Sequence, residues 1–322
     1  MGIMQPMSFD FDAAVTAPFR MRPGLRKLAP GARHLTPLAP GSPHQREKLA
    51  VLSAFAGQAL LQSAGFDANA ALRTLCEVAA REHPEVLAWD GVEAQSFALG
   101  VAVRSGELRT LHAGSFGLGD EISRCLAQLE PRWRLAGLLS LAFAEDIAII
   151  DAATGHIPWL AVTLPSFWAP EEKVGRHFVQ IHAPVADNEL LLRAASALMQ
   201  VVSGEQRWER FVWTITSHAR LHAHPQRVDP LRWGDADEHD LPARAWWRSE
   251  RQTFIPVAGT QQVLFTIAIH VQPLAELLHD PAKARALHEA VASMSAAVLD
   301  YRGLHSVREP LLRWLARAAA GT

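Results

Sequence analysis

The sequence predicts an α+β fold: a five-stranded antiparallel sheet with helices on one face, surrounded by additional N- and C-terminal helices. Three observations point there. Short β-branched runs of strand length are grouped between residues 145 and 272, helical periodicity dominates before and after them, and a stretch of short helix and loop divides the strands into two and three.

Residues 1–43 are rich in Pro, Gly and Arg and read as an extended arm wrapping the body. Residues 44–142 read as a helical N-terminal part. There "HQREKLAVLSAFAGQALLQSAG" has apolar residues at helical spacing and stops at Gly65, and a second helix starts at Asp67 or Asn69 and runs through "AALRTLCEVAARE". "FALGVAVRSGELRTL" suits a short hairpin about Ser105 and Gly106, after which "GDEISRCLAQLEPRWRLAGLLSLAF" returns to helix. Residues 143–272 form the sheet-bearing core. "DIAIID" and "IPWLAVTLP" are strands joined by "AATGH", and "SFWAPEEKVGRHFVQIHAPV" is short helix and loop. A helix then starts at Asp187 or Asn188, with Glu189 in its first turn, and ends at Gly204. "RFVWTIT", "WRSERQTFIPV" and "QQVLFTIAIHV" are three more strands. Residues 273–322 close the chain with two helices, near 273–300 and 307–320. The four parts are expected to form one compact unit, and two strands, a helical excursion and three strands is the order of a PAS-like sheet.

Composition removes several function classes. With 322 residues the chain can bury a sizeable core, and 31 Lys plus Arg against 33 Asp plus Glu leave no basic field for a nucleic acid or an anionic membrane. Cys76 and Cys125 are the only cysteines and have no CxxC spacing, so a cysteine-built zinc or iron-sulfur site is excluded and a reducing, cytoplasmic location is expected. The N-terminus lacks the pattern of a signal peptide, and no run is long enough to span a membrane. Fifteen His and ten Trp stand beside one tyrosine, Tyr301, which suits either a large apolar pocket or a Trp-rich core.

Common catalytic signatures are missing. "GSFGLG" at 114–119 has neither dinucleotide nor P-loop spacing and reads as a turn, and no GxSxG or HExxH occurs. "HAHP" puts His222 and His224 two apart, as a metal pair on a strand or as an ordinary loop before Pro225. "DADEHD" at 235–240 reads as a solvated acidic loop. Two places stand out. His182 sits among Ile181, Ala183, Pro184 and Val185, either as a packed core histidine or as a neutral axial ligand for haem iron. In "RSERQTF", strand alternation puts Arg248, Glu250 and Gln252 on one face and Arg251 and Thr253 on the other. Such a face is a polarised cavity wall or a structural ion pair, and a one-residue slip exchanges Arg248 for Arg251. Arg210, on the neighbouring strand, is a third candidate.

These blocks together resemble a known family. "EDIAIID", "LPSFWAPEEKVGRHFVQIHAPV", "RSERQTF" and "VLFTIAIHVQPL", over about 143–275, are similar to the haem-dependent oxidative N-demethylases. The resemblance implies haem b in a PAS-like fold, with His182 as the iron ligand and Lys173 pairing with a propionate. It also implies Glu250 with Arg251 or Arg248, and Arg210 beside them, on the distal side. The activity implied is removal of a methyl group from a small secondary or tertiary amine such as dimethylamine, using O2. Electrons would come from a separate NADPH-dependent flavin and iron-sulfur reductase. The chain departs from the family pattern at Val212, where Asn is usual, and at Ala186, where Pro is usual. A haem-based gas or redox sensor, or a carrier without turnover, is the alternative reading of the same fold; a scaffold without haem is the third.

Overall fold

The structure, a computed structural model, describes residues 9–229 and 233–321. Its strands, in chain order, are β1 (Arg26–Lys27), β2 (Leu60–Gln62), β3 (Ala88–Trp89), β4 (Glu93–Ser96), β5 (Val101–Arg104), β6 (Glu107–Thr110), β7 (Glu145–Asp151), β8 (His156–Ala161), β9 (Trp208–Thr216), β10 (Trp246–Pro256) and β11 (Gln262–Pro273). The large sheet has the order β1-β9-β10-β11-β7-β8-β2, antiparallel at each pairing, and β3 to β6 form a separate four-stranded meander. All five expected strands are present and adjacent. The expected five-stranded sheet is nevertheless seven-stranded, because the arm adds β1 at one edge and the residues directly after the helix Pro43–Ala59 add β2 at the other.

Side-chain alternation divides the sheet into two unlike faces. Ile147, Ile149, Trp159, Ile255 and Leu264 pack with the helices Asn69–Glu82 and Arg134–Ala142. On the same face Trp213, Ile215 and Trp247 pack with Pro281–Ala292 and Arg308–Ala320. The opposite face carries Ala148, Ile150, Leu160 and Phe254 against Met199 and Val202 of Ala195–Ser203. Helices therefore cover both faces, which corrects the expectation of one. Each face carries its own apolar set, and each set needs cover.

Other differences have local causes. The helix expected to run to Gly65 is capped by Ser42, whose hydroxyl accepts from the Gln45 N–H at 3.3 Å, and it ends at Ala59 so that Leu60 and Leu61 can pair with β8. Pro131 divides the next expected helix into Glu121–Gln128 and Arg134–Ala142. The stretch 44–142 is not only helical, since it contains the meander. Within it the expected hairpin is β5 and β6, and both turn residues, Ser105 (φ 49) and Gly106 (φ 82), have the positive φ that a two-residue turn between twisted strands requires. In the C-terminal part Asp280 and Ser295 cap new helices, Pro281–Ala292 and Ala296–Arg302, inside the span expected to be one. No helix among the described residues is long and apolar enough to cross a membrane.

A buried polar knot fixes the chain next to the site. Lys48 Nζ donates to Asp146 Oδ1 (3.2 Å) and to the Glu145 carbonyl (2.9 Å), and Asp146 also accepts from Thr163 Oγ1 (2.6 Å) and the Leu164 N–H (2.7 Å). The helix Pro43–Ala59, β7 and the segment after β8 are thereby joined. Neighbouring Glu145 is buried and accepts from the Thr36 N–H through Oε2 (2.9 Å), and its Oε1 has no partner among the described residues. Burial pushes its pKa up to about 7 from 4.5. The folded state therefore holds a proton that the unfolded state releases, and stability falls as pH rises from 4.5 to about 7. Glu145→Gln should lose this dependence. The difference in unfolding free energy between variant and wild type, from urea titrations at pH 5 and 8, should change by ~3 kcal/mol in favour of the variant at pH 8. An unchanged difference would show that Glu145 is ionised at no cost.

Candidate functional site

A cavity of about 370 Å³ lies on the face of the sheet opposite the two large helical layers. Its floor is the even-numbered residues of β9 and β10 and their neighbours on β11, β7 and β8; its roof is the excursion between β8 and β9. Two further walls were not foreseen: Met21 to Pro23 and Leu25 of the arm, and Tyr301 and Arg302 of a C-terminal helix. Arg22 and Tyr301 are also solvent-exposed, so they mark its rim.

The floor is graded from apolar to polar. Ala148, Ile150, Leu160, Phe254 and Phe265 make one part, with the Phe254 and Phe265 rings stacked at 5.0 Å. Gln252, Glu250 and Arg248 follow along β10, and the cross-strand register sets Arg210 opposite Gln252, Val212 opposite Glu250 and Thr214 opposite Arg248. Alternation thus places Arg248, Glu250 and Gln252 on the cavity face. Arg251 lies on the other face, buried, with Nε donating to Glu209 Oε2 at 2.9 Å; it does not line the cavity, and a distal role for it is corrected by this register.

The three charged groups on the floor have different commitments. Arg248 is 1 % exposed and donates to Ser166 Oγ (2.8 Å) and to the carbonyls of Arg220 (3.0 Å), Leu221 (2.9 Å), Pro165 (3.2 Å) and Leu164 (3.3 Å). It ties β10 to two loops. Burial pulls its pKa down to about 10, with Glu250, Glu47 and Asp146 acting in the opposite direction. One consequence is that Phe167, a non-glycine residue at φ 64, is held over the cavity between Arg248 and its own N–H bond to the Ala223 carbonyl (2.8 Å). Glu250 accepts from Gln252 Nε2 (2.7 Å). Arg210 makes no hydrogen bond or ion pair among the described residues, and its Nε is sealed from solvent without an acceptor. Burial lowers its pKa, and Glu250 then Tyr301 oppose that.

His182 is placed by a short helix, Phe178–His182. Its start is held by His177, whose Nδ1 accepts from the Val179 N–H (3.1 Å) while its own N–H donates to Gln180 Oε1 (3.1 Å). Its end is held by Asn188, whose amide donates to the carbonyls of His182 (2.8 Å) and Ala183 (2.9 Å). The His182 ring lines the cavity, with Nδ1 2.9 Å from the Phe178 carbonyl oxygen. That contact needs an Nδ1–H, which leaves Nε2 with its lone pair. Burial pushes the imidazole pKa down to about 4, the Phe178 bond resists, and Arg210 and Lys173 push further down. The ring is therefore neutral at pH 7. Lys173 lines the same cavity.

A sequence model of the family described as haem-dependent oxidative N-demethylase, alpha subunit-like, matches residues 121–312, more than half of the chain. The chain belongs to this family. The match spans β7 to β11 and includes His182, Lys173, Arg210, Arg248, Glu250 and Tyr301, whereas the arm residues at the rim lie outside it. The residues present suit the haem that the family's name implies. A haem needs one fixed neutral nitrogen, an apolar slot and cations for its carboxylates; His182, the Phe254 and Phe265 end of the floor, and Lys173 with Arg22 answer those needs in turn.

The remaining candidates fall outside the cavity. His222 Nδ1 meets the Thr163 carbonyl oxygen (2.7 Å) and His224 Nε2 meets Glu171 (3.1 Å) in a loop, and no group of three His, Cys, Asp or Glu that could hold a metal ion occurs among the described residues. In "DADEHD", Glu238 accepts from Arg317 (2.8 Å) and Arg313.

Proposed function

We propose that the chain is the haem-binding subunit of an oxidative N-demethylase that acts on a small secondary or tertiary amine. The observation that carries this reading is His182: a neutral imidazole, fixed through Nδ1, with Nε2 available to an apolar cavity. The strand order β9-β10-β11-β7-β8, with the excursion roofing one face, supports a PAS-like core around that cavity. Haem b, bound through His182, would supply the redox chemistry on O2. In balance, an N-methyl amine, O2, two electrons and two protons give the demethylated amine, formaldehyde and water. The electrons would come from a separate reductase, which the family resemblance implies is an NADPH-dependent flavin and iron-sulfur protein; Cys76 and Cys125, both buried thiols, offer no cysteine set for a cluster in this chain. Free thiols also suit a reducing, cytoplasmic setting.

The chain's own residues do the rest. Glu250, steadied by the Gln252 amide, pairs with the ammonium group and can take its proton. Arg248 holds Ser166 and Phe167 in the cavity wall beside the carboxylate. Lys173 and Arg22, which line the cavity, would hold the haem carboxylates. Glu250→Gln keeps the shape and removes the charge, so the variant should retain its Soret band and lose ~10²-fold in amine-dependent kcat/KM, followed as reductase-supported formaldehyde release. Unchanged turnover would return Glu250 to a structural role.

A further inference from the structure

Glu250 and Arg210 face one cavity from adjacent strands, and no ion pair between them occurs among the described residues. Gln252 lies opposite Arg210 and Val212 opposite Glu250, so the guanidinium is one diagonal step from the carboxylate, a distance that long side chains and a small ligand can bridge. The carboxylate is held by the Gln252 amide, whereas Arg210 has no acceptor among the described residues. Its Nε is buried without an acceptor while the residue as a whole is half-buried, and a ligand that brings an acceptor into the cavity removes the cost of that unmet donor. The other cations on the wall are placed differently, and Lys173, which also lines the cavity, is assigned to a haem carboxylate by the demethylase reading. Arg248 is committed to loop carbonyls, Arg302 to the Trp213 carbonyl, and Arg22 is at the rim. A bare amine would pair with Glu250 and leave Arg210 as it is.

We propose, resting on the demethylase reading, that the substrate is zwitterionic: an N-methyl amino acid whose ammonium meets Glu250, whose carboxylate meets Arg210, and whose N-methyl group rests on Val212. A carboxylate on a guanidinium forms paired charge-assisted bonds, and the isopropyl group of Val212 offers apolar contact without competing for Glu250. Written for the neutral amine, the N-methyl amino acid, O2, two protons and two electrons from the reductase give the primary amino acid, formaldehyde and water. One C–H bond and the C–N bond to the methyl carbon break, one oxygen atom enters formaldehyde, and the other enters water.

The test uses the full chain reconstituted with haem, titrated with N-methylglycine, dimethylamine and acetate, with binding read from the Soret band and from calorimetry. N-methylglycine should bind ~10- to 100-fold more tightly than dimethylamine, the worth of one charge-assisted pair. Arg210→Gln should weaken N-methylglycine at least ~10-fold more than dimethylamine, and Arg210→Lys should restore part of the preference as a point charge. Equal or tighter binding of dimethylamine would overturn the proposal, as would an Arg210→Gln protein that loses haem and weakens both ligands alike, which would give Arg210 to the haem. A Soret band that moves with dimethylamine and not with N-methylglycine defeats only this proposal. No Soret band at all defeats the demethylase reading beneath it.

Discussion

His182→Ala should abolish haem retention, with the Soret band of the reconstituted protein reduced to background and haem affinity lowered by more than ~100-fold. The expectation follows from the preparation of one nitrogen. The helix Phe178–His182 is capped at both ends by side chains, the Nδ1 proton is held by the Phe178 carbonyl, and the desolvated ring stays neutral. A ligand that must neither rotate nor protonate is supported at each of those points. Because the substitution leaves a ring-sized gap against Phe178, whose ring centroid is 4.0 Å from that of His182, added imidazole should refill it and restore the band. A His182→Ala protein that binds haem with an unchanged spectrum would show that the iron ligand lies elsewhere.

Arg248→Met should cost ~3–5 kcal/mol of stability, read as the shift in urea midpoint at constant slope. Its guanidinium meets four backbone carbonyls and one hydroxyl from segments that are distant in sequence, 164–166 and 220–221. Methionine fills the volume and satisfies none of them. Lysine at this position has three donors on a point, not five in a plane, so it should recover less than half of the loss. A loss under ~1 kcal/mol would mean that the loops find other partners and that Arg248 is free to serve a ligand. The same substitution should loosen Phe167 over the cavity, so amine affinity should fall together with stability.

Much of the sheet was legible because period-two alternation is a local signal. It located β7 to β11 and put Arg248, Glu250 and Gln252 on one face, and the pairing register then placed Arg251 against Glu209 on the other. The apolar neighbours of His182 were likewise visible in sequence; Ile181 and Val185 line the cavity with it, whereas Ala183 and Pro184 are exposed. What could not be read depends on contacts between distant positions. Pairing of Arg26 with Glu209 creates β1, and pairing of Leu61 with Leu160 turns a helix end into β2. Met21 and Tyr301 share a cavity across nearly the whole chain, and no local pattern marks either as a wall residue. Tyr301 carried one clue, as the sole tyrosine, but a composition count cannot place it. Helices on both faces of the sheet follow from the apolar character of both alternating sets, which was legible in "EDIAIID", where Ile147 and Ile149 face one layer while Ala148 and Ile150 face the other.

The most direct test of the central claim is the ultraviolet and visible spectrum of the purified, haem-reconstituted chain, oxidised and reduced, with an N-methyl amine titrated in. The account predicts a Soret band that shifts saturably with the amine, because the floor that carries Glu250 and the roof that carries His182 enclose one cavity. Absence of any Soret band after reconstitution would contradict it and leave His182 a packed histidine in an apolar pocket.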